Sequence, residues 1–263
     1  MLRGRRLLVL SGAGISTESG IPDYRSPERS QRSRRPMRYQ QFVRSPEARR
    51  RYWVRSLVGW PRIDQAEPNL GHRALVHMQV KVDLDGIITQ NVDGLHQRAG
   101  SRNVLELHGT LAVVRCLHCR VPEARSAFQR RLLELNPDFR PGRIELAPDG
   151  DADLPRAQED GFRVPVCLRC RGLLKPDVVF FGENVPKDRL ERAWKMLERA
   201  EALLVVGSSL TVYSGYRFVA RASQQGKPVA IVNRGPTRGD ADASVRIDGK
   251  LGEVLPALAE QIE

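Results

Sequence analysis

Arg5-Arg6-Leu7-Leu8-Val9-Leu10 runs straight into Ser11-Gly12-Ala13-Gly14, and that junction decides the fold. The short apolar run suits a strand covered on both faces, and the small residues after it suit a tight turn. The same punctuation recurs downstream. Pro68-Asn69 opens a helix running to about Val80, with Asn69 as its cap. Segments 86–89 and 104–107 read as further buried strands. In the second half, 177–181, 202–206, 228–232 and 245–247 read as strands, separated by helices over 187–200 and 214–225, and 252–262 reads as a final helix. Strands alternating with helices imply a parallel sheet covered on both faces, so the expected class is α/β, a doubly wound domain.

Composition bounds the rest. The chain has 263 residues, 41% of them apolar, enough for one large domain or one plus a smaller module. No stretch approaches the roughly 18 to 20 apolar residues of a membrane-spanning helix, so no membrane partner is expected. Leu7 to Leu10 leave little room for a cleavable leader ahead of the turn, which points to a cytoplasmic location. The formal net charge is +12, and residues 25–55 hold eleven arginines against Glu28 and Glu47. Clustered arginines neutralise phosphates, but aromatic residues for stacking on bases are few here: Tyr39, Phe42, Tyr52 and Trp53. Nucleic acid is therefore disfavoured against a solvated helical flap or a nearby anionic ligand. A helix is expected within the flap over 46–58.

Between residues 111 and 172 the alternation stops, marking an inserted module that contains all four cysteines. Cys116-Leu117-His118-Cys119 and Cys167-Leu168-Arg169-Cys170 form two CxxC pairs, suited to a closed tetrahedral zinc site. Disulfides or redox thiols compete with zinc, but two redox dithiols in one insertion would be unusual. A four-thiolate shell leaves no open position for substrate, so the metal would be structural. Residues 144–160, with six acids and one arginine, read as a surface loop. Asp149, Asp151, Asp153 and Asp160 only superficially resemble a calcium loop, because Leu154 stands where the sharp turn needs glycine.

Gly12-Ala13-Gly14 lets backbone approach a pyrophosphate, but Thr17 stands where a dehydrogenase fingerprint needs its third glycine. The turn suits a dinucleotide without supporting hydride transfer. Other strand ends agree: Thr89-Gln90-Asn91-Val92-Asp93, His108-Gly109-Thr110, Gly207-Ser208-Ser209 and Asn233-Arg234-Gly235. Open α/β sheets bind ligands at those ends.

Taken together, GAGISTESGIPDYRS at 12–26, TQNVDGLH at 89–96, LHG at 107–109, the two CxxC pairs, KPDVVFFGE at 175–183, GSSL at 207–210 and the Asn233 turn resemble the sirtuin family of NAD-dependent protein-lysine deacylases. DYRSPERS, RYWVRSLVGWP and VYSGYRF look most like its class II branch. The resemblance implies a Rossmann-like NAD-binding domain formed by 1–110 and 173–263, with a helical flap at about 27–80, and a smaller inserted zinc-binding module at 111–172. It implies that Gly12, Ala13, Gly14, Asp23, Tyr24 and Arg25 hold the NAD phosphates and the mobile cofactor loop. Gln90 and Asn91 would meet the nicotinamide ribose, and Asp93 the carboxamide. Gly207, Ser208, Ser209, Asn233, Arg234, Gly235 and the backbone near Leu251 would take the adenosine half. His108 would be the general base, with Asn91 beside it as the second catalytic residue, and Val179, Phe181, Gly182 and Val212 would line the acyl-lysine tunnel.

The implied reaction removes acetyl or longer acyl groups from protein lysines and releases nicotinamide and O-acyl-ADP-ribose, an acyl transfer. An imidazole with its ordinary pKa of about 6.5 suits proton abstraction near neutrality. His72, His77, His96 and His118 read as helix or surface residues. Protein ADP-ribosyl transfer is the related alternative, and a non-catalytic NAD or nucleic-acid binding module the more distant one. Tyr52 and Arg55 stand three apart, an interval associated with negatively charged acyl groups, yet the surrounding residues match class II better.

Overall fold

The structure, a computed structural model, describes residues 2–23, 36–140 and 161–262. Its strands are β1 (Leu7–Ser11), β2 (Leu84–Thr89), β3 (Val104–Glu106), β4 (Gly109–Cys116), β5 (Pro122–Ala124), β6 (Leu174–Val178), β7 (Ala202–Val206), β8 (Val229–Val232) and β9 (Val245–Ile247). Its α-helices are α1 (Tyr39–Arg44), α2 (Pro46–Gln65), α3 (Leu70–Lys81), α4 (Leu95–Ala99), α5 (Arg125–Leu135), α6 (Lys187–Arg199), α7 (Tyr213–Gln224) and α8 (Leu251–Gln261). The chain divides into two units, one of Met1–Asp23, Ala66–His108 and Val185–Glu263, the other of Tyr24–Gln65 and Gly109–Asn184.

In the first unit, six described strands pair in parallel in the order β3-β2-β1-β7-β8-β9. The period of two along β1 sorts its side chains to opposite faces. Leu7 and Val9 join Leu204, Val206, Met78 of α3 and Leu255 of α8, while Leu8 and Leu10 join Leu203, Val205, Met196 of α6 and Phe218 of α7. Helices thus cover both faces, as a doubly wound sheet requires. Chain order reverses at β1, with β2 on one side and β7 on the other, which makes its carboxyl end the switch point where such sheets bind ligands. Strand β1 leads into a 3₁₀ turn, Ala13–Ser19, closed by Gly20 at φ +79°. Asn69 caps α3 as expected, accepting from the backbone N–H groups of Gly71 and His72.

The second unit carries the antiparallel sheet β5-β4-β6. Here the sequence-based expectation needs correction. The strand expected at 177–181 lies three residues earlier, as β6, and contains Pro176. Proline is tolerated because, among the described residues, β6 is an edge strand that pairs with β4. Buried Lys175 holds the turn after this strand: its Nζ donates to the carbonyls of Pro176 and Val178, pairs with Glu183 at 3.0 Å and lies 4.5 Å from the centre of the Phe180 ring. Burial pushes the Lys175 pKa down, and Glu183 opposes that shift.

The helix expected over 46–58 continues to Gln65 despite Pro61. Proline brings no N–H to the carbonyl four residues back, which leaves that of Leu57 without its helical donor. Gln129 Nε2 of α5 supplies one at 2.8 Å, and Arg125 donates to the neighbouring Ser56 carbonyl at 3.1 Å and to Gln129 Oε1 at 2.6 Å. Arg125 is 1% exposed, stands 4.7 Å from the Trp60 ring centre, and has its pKa lowered to about 10 by burial. Gln129→Leu orphans a carbonyl and a guanidinium N–H together, so urea unfolding should show a loss of about 3 kcal/mol. An unchanged midpoint would remove this account of how α2 survives its proline. Of the aromatic residues in the arginine-rich segment, Phe42, Tyr52 and Trp53 are core, packed edge to face with one another.

Candidate active site

The parallel sheet brings the sequence-predicted loops to one edge. In spatial order His108 follows β3, Gln90 to Asp93 follow β2, Gly12 to Gly14 follow β1, Gly207 to Ser209 follow β7, and Asn233 to Gly235 follow β8. Five strands span four spacings of about 4.8 Å, a track of roughly 19 Å for a long ligand with two different ends.

The middle of the track is bare backbone. Gly12 N–H donates to the Val206 carbonyl at 3.0 Å and Gly14 N–H to the Gly207 carbonyl at 2.8 Å. A Cβ on Gly14 would lie 2.9 Å from Gly207, and one on Gly207, itself at φ +61°, would lie 2.4 Å from Ile15 N. Both loops need glycine because main chain presses on main chain. Leu251 lies in the core beside Gly207, and the next backbone N–H, that of Gly252, donates to Glu18 Oε1 at 3.0 Å, an acid at a helix start. At the far end Asn233 is buried and its Nδ2 donates to the carbonyls of Arg234 and Gly235, so its side chain shapes the turn. Ser208 Oγ accepts from Gln90 Nε2 at 2.8 Å, and Ser209 lies beside it, accepting through its carbonyl from Arg238 N–H.

Beyond β2 the polar side chains form a chain. Asn91 Nδ2 donates to Ser16 Oγ at 3.1 Å, and Ser16 donates to Asp93 Oδ2 at 2.7 Å, while Asp93 Oδ1 accepts from Leu95 N–H at 2.9 Å. Burial raises the pKa of Asp93 despite these bonds. Folding therefore favours the protonated acid: the contribution of Asp93 to stability is fully present below its ordinary value of about 3.9 and is lost as pH climbs through the raised one. Comparing wild type with Asp93→Asn by denaturant unfolding, the wild-type advantage should shrink as pH rises from 4 to 7. A constant or growing advantage contradicts the buried-acid assignment.

Under this chain lie two histidines that the sequence alone left at helices or the surface. Both sit on helices, but His72 and His96 are 0% and 1% exposed. Their rings are 5.0 Å apart, edge to face. Ser11 donates to Thr89 Oγ1 at 2.8 Å, so the His96 Nε2–H donates to Ser11 Oγ at 2.8 Å, and Thr89 also accepts from Asn91 N–H. Burial pushes His96 down to about 3, helped by His72, and His72 down to about 4. The signal available in sequence was the placement of His96 inside the polar TQNVDGLH run, at the exit of a strand.

His108 keeps part of its surface exposed, yet burial lowers its pKa to about 4, with the charges of Arg189 and Arg217 adding to the shift and the Gln90 carbonyl opposing it. The sequence-based value of 6.5 is corrected accordingly, because the protein packed around the ring penalises the imidazolium. Its Nδ1 lies 3.0 Å from the Gln90 carbonyl oxygen and its Nε2 lies 2.7 Å from Ser214 Oγ. Asp23 is described, whereas Tyr24, Arg25 and the acidic segment 144–160 with its calcium-like spacing lie outside the described residues. Val212 caps α7 in the first unit. Val179, Phe181 and Gly182 follow β6 in the second, where the Phe181 carbonyl accepts from Tyr39 N–H at 3.0 Å.

The four cysteines converge within the second unit. Their sulfurs lie within 4.8 Å of one another, with Cys116 to Cys170 at 3.5 Å and Cys119 to Cys167 at 3.6 Å. Four thiolates around one zinc at 2.3 Å stand about 3.8 Å apart, whereas a disulfide needs about 2.0 Å. Arg120 and Arg171, one after each pair, both adopt left-handed backbone, and a Cβ on Gly172 would lie 3.1 Å from Cys116 Sγ. The two turns are built alike to close on one ion. All the ligands are cysteines, so the zinc is structural.

A sequence profile described as the Sir2 family matches residues 12–214. NAD-dependent protein deacetylase 1 of Streptomyces coelicolor is 54% identical, over 99% of this chain and 87% of that protein. Its namesake in Mycobacterium avium is 51% identical over 100% and 93%. The mitochondrial NAD-dependent protein lipoamidase sirtuin-4 of Bos taurus is 48% identical over 97% and 82%. A solved structure, Sir2 with a p53 peptide and NAD+, superposes with a TM-score of 0.78 at 33% identity, covering 98% of this chain and 94% of that one.

Proposed function

The chain belongs to the Sir2 family, and from that premise we propose how its residues carry out the removal of acyl groups from protein lysines. It is an NAD-dependent protein deacylase, most like class II, that takes acyl-lysine proteins as substrates. NAD supplies the ribose carbon that takes up the acyl oxygen as nicotinamide leaves. The donor set fits this group: main chain against main chain where two glycine turns meet, a buried amide and a half-buried acid at one end, and a buried asparagine turn at the other.

In this reading Gly12, Ala13 and Gly14 let backbone approach the phosphates, with Asp23, Tyr24 and Arg25 joining them. Gly207, Ser208, Ser209, Asn233, Arg234, Gly235 and the backbone at Leu251 hold the adenosine end. Gln90 and Asn91 orient the ribose of the reactive end and Asp93 holds the carboxamide. His108 takes a ribose hydroxyl proton at Nε2. Val179, Phe181, Gly182 and Val212 receive the acyl-lysine, their backbone pairing with an extended peptide. Residues 1–110 and 173–263 serve cofactor binding, and 111–172 is stapled by zinc. Among the described residues no helix is long and apolar enough to cross a membrane. We place its work in the cytoplasm, where reduced thiols remain available to the metal.

The observation that carries the reading is the lock on His108. A backbone carbonyl only accepts, so Nδ1 bears the ring proton and Nε2 keeps the lone pair a base needs. Incubation with NAD and acylated peptides, followed by mass spectrometry, tests the whole. Nicotinamide release that requires acyl-lysine and yields acyl-ADP-ribose is expected. Nicotinamide release without an acyl peptide, with ADP-ribose on protein, would favour ribosyl transfer instead.

A further inference from the structure

We propose that Ser214 is a positioning residue for His108: its hydroxyl holds the Nε2 lone pair in the cofactor-free protein and yields it to a ribose hydroxyl of the cofactor. The proposal rests on His108 being the base. With the proton fixed on Nδ1 by the Gln90 carbonyl at 3.0 Å, Nε2 can only accept, so Ser214 Oγ, 2.7 Å away, is the donor. The imidazole is thereby held on both sides, by the exit of β2 and by the first turn of α7.

The local sequence explains how α7 comes so close. Val212 is its cap, Tyr213 its first residue and Ser214 its second. Gly215 comes next, and a Cβ there would lie 2.4 Å from Gln90 Oε1. A larger residue would have to displace the side chain of Gln90, the residue whose carbonyl is the other partner of the ring. A glycine therefore seats the turn, and the serine beside it reaches the base.

Physical chemistry gives the contact a purpose. A partly buried imidazole nitrogen with no donor is costly, and a ring bonded at one nitrogen alone can pivot about that bond. Ser214 satisfies the nitrogen and aims it. Replacing the serine hydroxyl by a ribose hydroxyl exchanges one O–H donor for another, so the hydrogen-bond count is conserved while the ring stays in place. Ser214 carries no proton in this scheme. The ribose O–H bond breaks, the Nε2–H bond forms, and the proton rests on His108.

Nitrogen-15 NMR of the cofactor-free protein, combined with steady-state kinetics, tests this. Wild type should show His108 as the Nδ1–H tautomer with Nε2 shifted as a hydrogen-bonded lone pair. In Ser214→Ala the Nε2 resonance should move downfield toward a free lone pair, and, because the hydroxyl acts before the cofactor arrives, KM for NAD should rise severalfold while kcat changes less than twofold. Ser214→Thr, which keeps the hydroxyl, should restore the resonance and most of the KM. An unmoved Nε2 resonance in Ser214→Ala, or equal rises in KM in the alanine and threonine variants, overturns the proposal. His108→Ala run alongside separates the two readings. If it is inactive while the resonance fails to move, only the part given to Ser214 is lost; if it is active, the base itself is misassigned.

Discussion

His108→Ala should lower kcat by about 10² to 10⁴-fold while leaving circular dichroism and the melting transition close to wild type. The imidazole's partners are two polar groups, the Gln90 carbonyl and the Ser214 hydroxyl, so its removal should be felt in the chemistry more than in the fold. The pH profile gives an independent reading. With the free-enzyme pKa near 4, the neutral base is already present at pH 5, and the acid limb of kcat/KM should lie near 4 rather than near 6.5. A variant retaining more than a tenth of wild-type kcat, or an acid limb at the ordinary histidine value that vanishes in no variant of His108, would sink the assignment.

Removing the metal should have the second large effect. The sheet β5-β4-β6 is small, and the two CxxC turns at its end close on one ion through residues in strained left-handed backbone. Such turns gain their stability from the metal. Cys167→Ser should reduce bound zinc from one per chain to near zero and lower the melting temperature by about 10 °C or more. Metal analysis and calorimetry check this together. Full stability without bound zinc would mean that the four sulfurs are merely neighbours.

Much of the fold was readable because burial leaves a pattern. Leu7 to Leu10 and Ala202 to Val206 are uninterrupted apolar runs because both faces of the parallel sheet are covered, and their ends coincide with the site. Where the sequence misled, a tertiary contact overrode a local rule. The helix expected over 46–58 runs on past Pro61 because Gln129, more than sixty residues on, satisfies the Leu57 carbonyl that the proline leaves without its helical donor. The strand expected over 177–181 begins instead at Leu174, because Lys175 is buried in it by a pairing with Glu183 that hydropathy does not register. In the site, loop positions were legible from strand ends. The partners were not: Ser214 carries no local signal, and the polar run around His96 does not point to His72, because each meets its neighbour only after the sheet has assembled.

The glycine contact between the loops after β1 and β7 limits how the protein can be altered. At its centre the Gly14 and Gly207 peptide groups meet directly, a contact that a side-chain swap cannot retune. An engineer seeking a different nucleotide would have to work at the two extremities, around Asn91 to Asp93 or around Asn233 to Gly235. A single methyl group introduced between them would pry both loops apart at once.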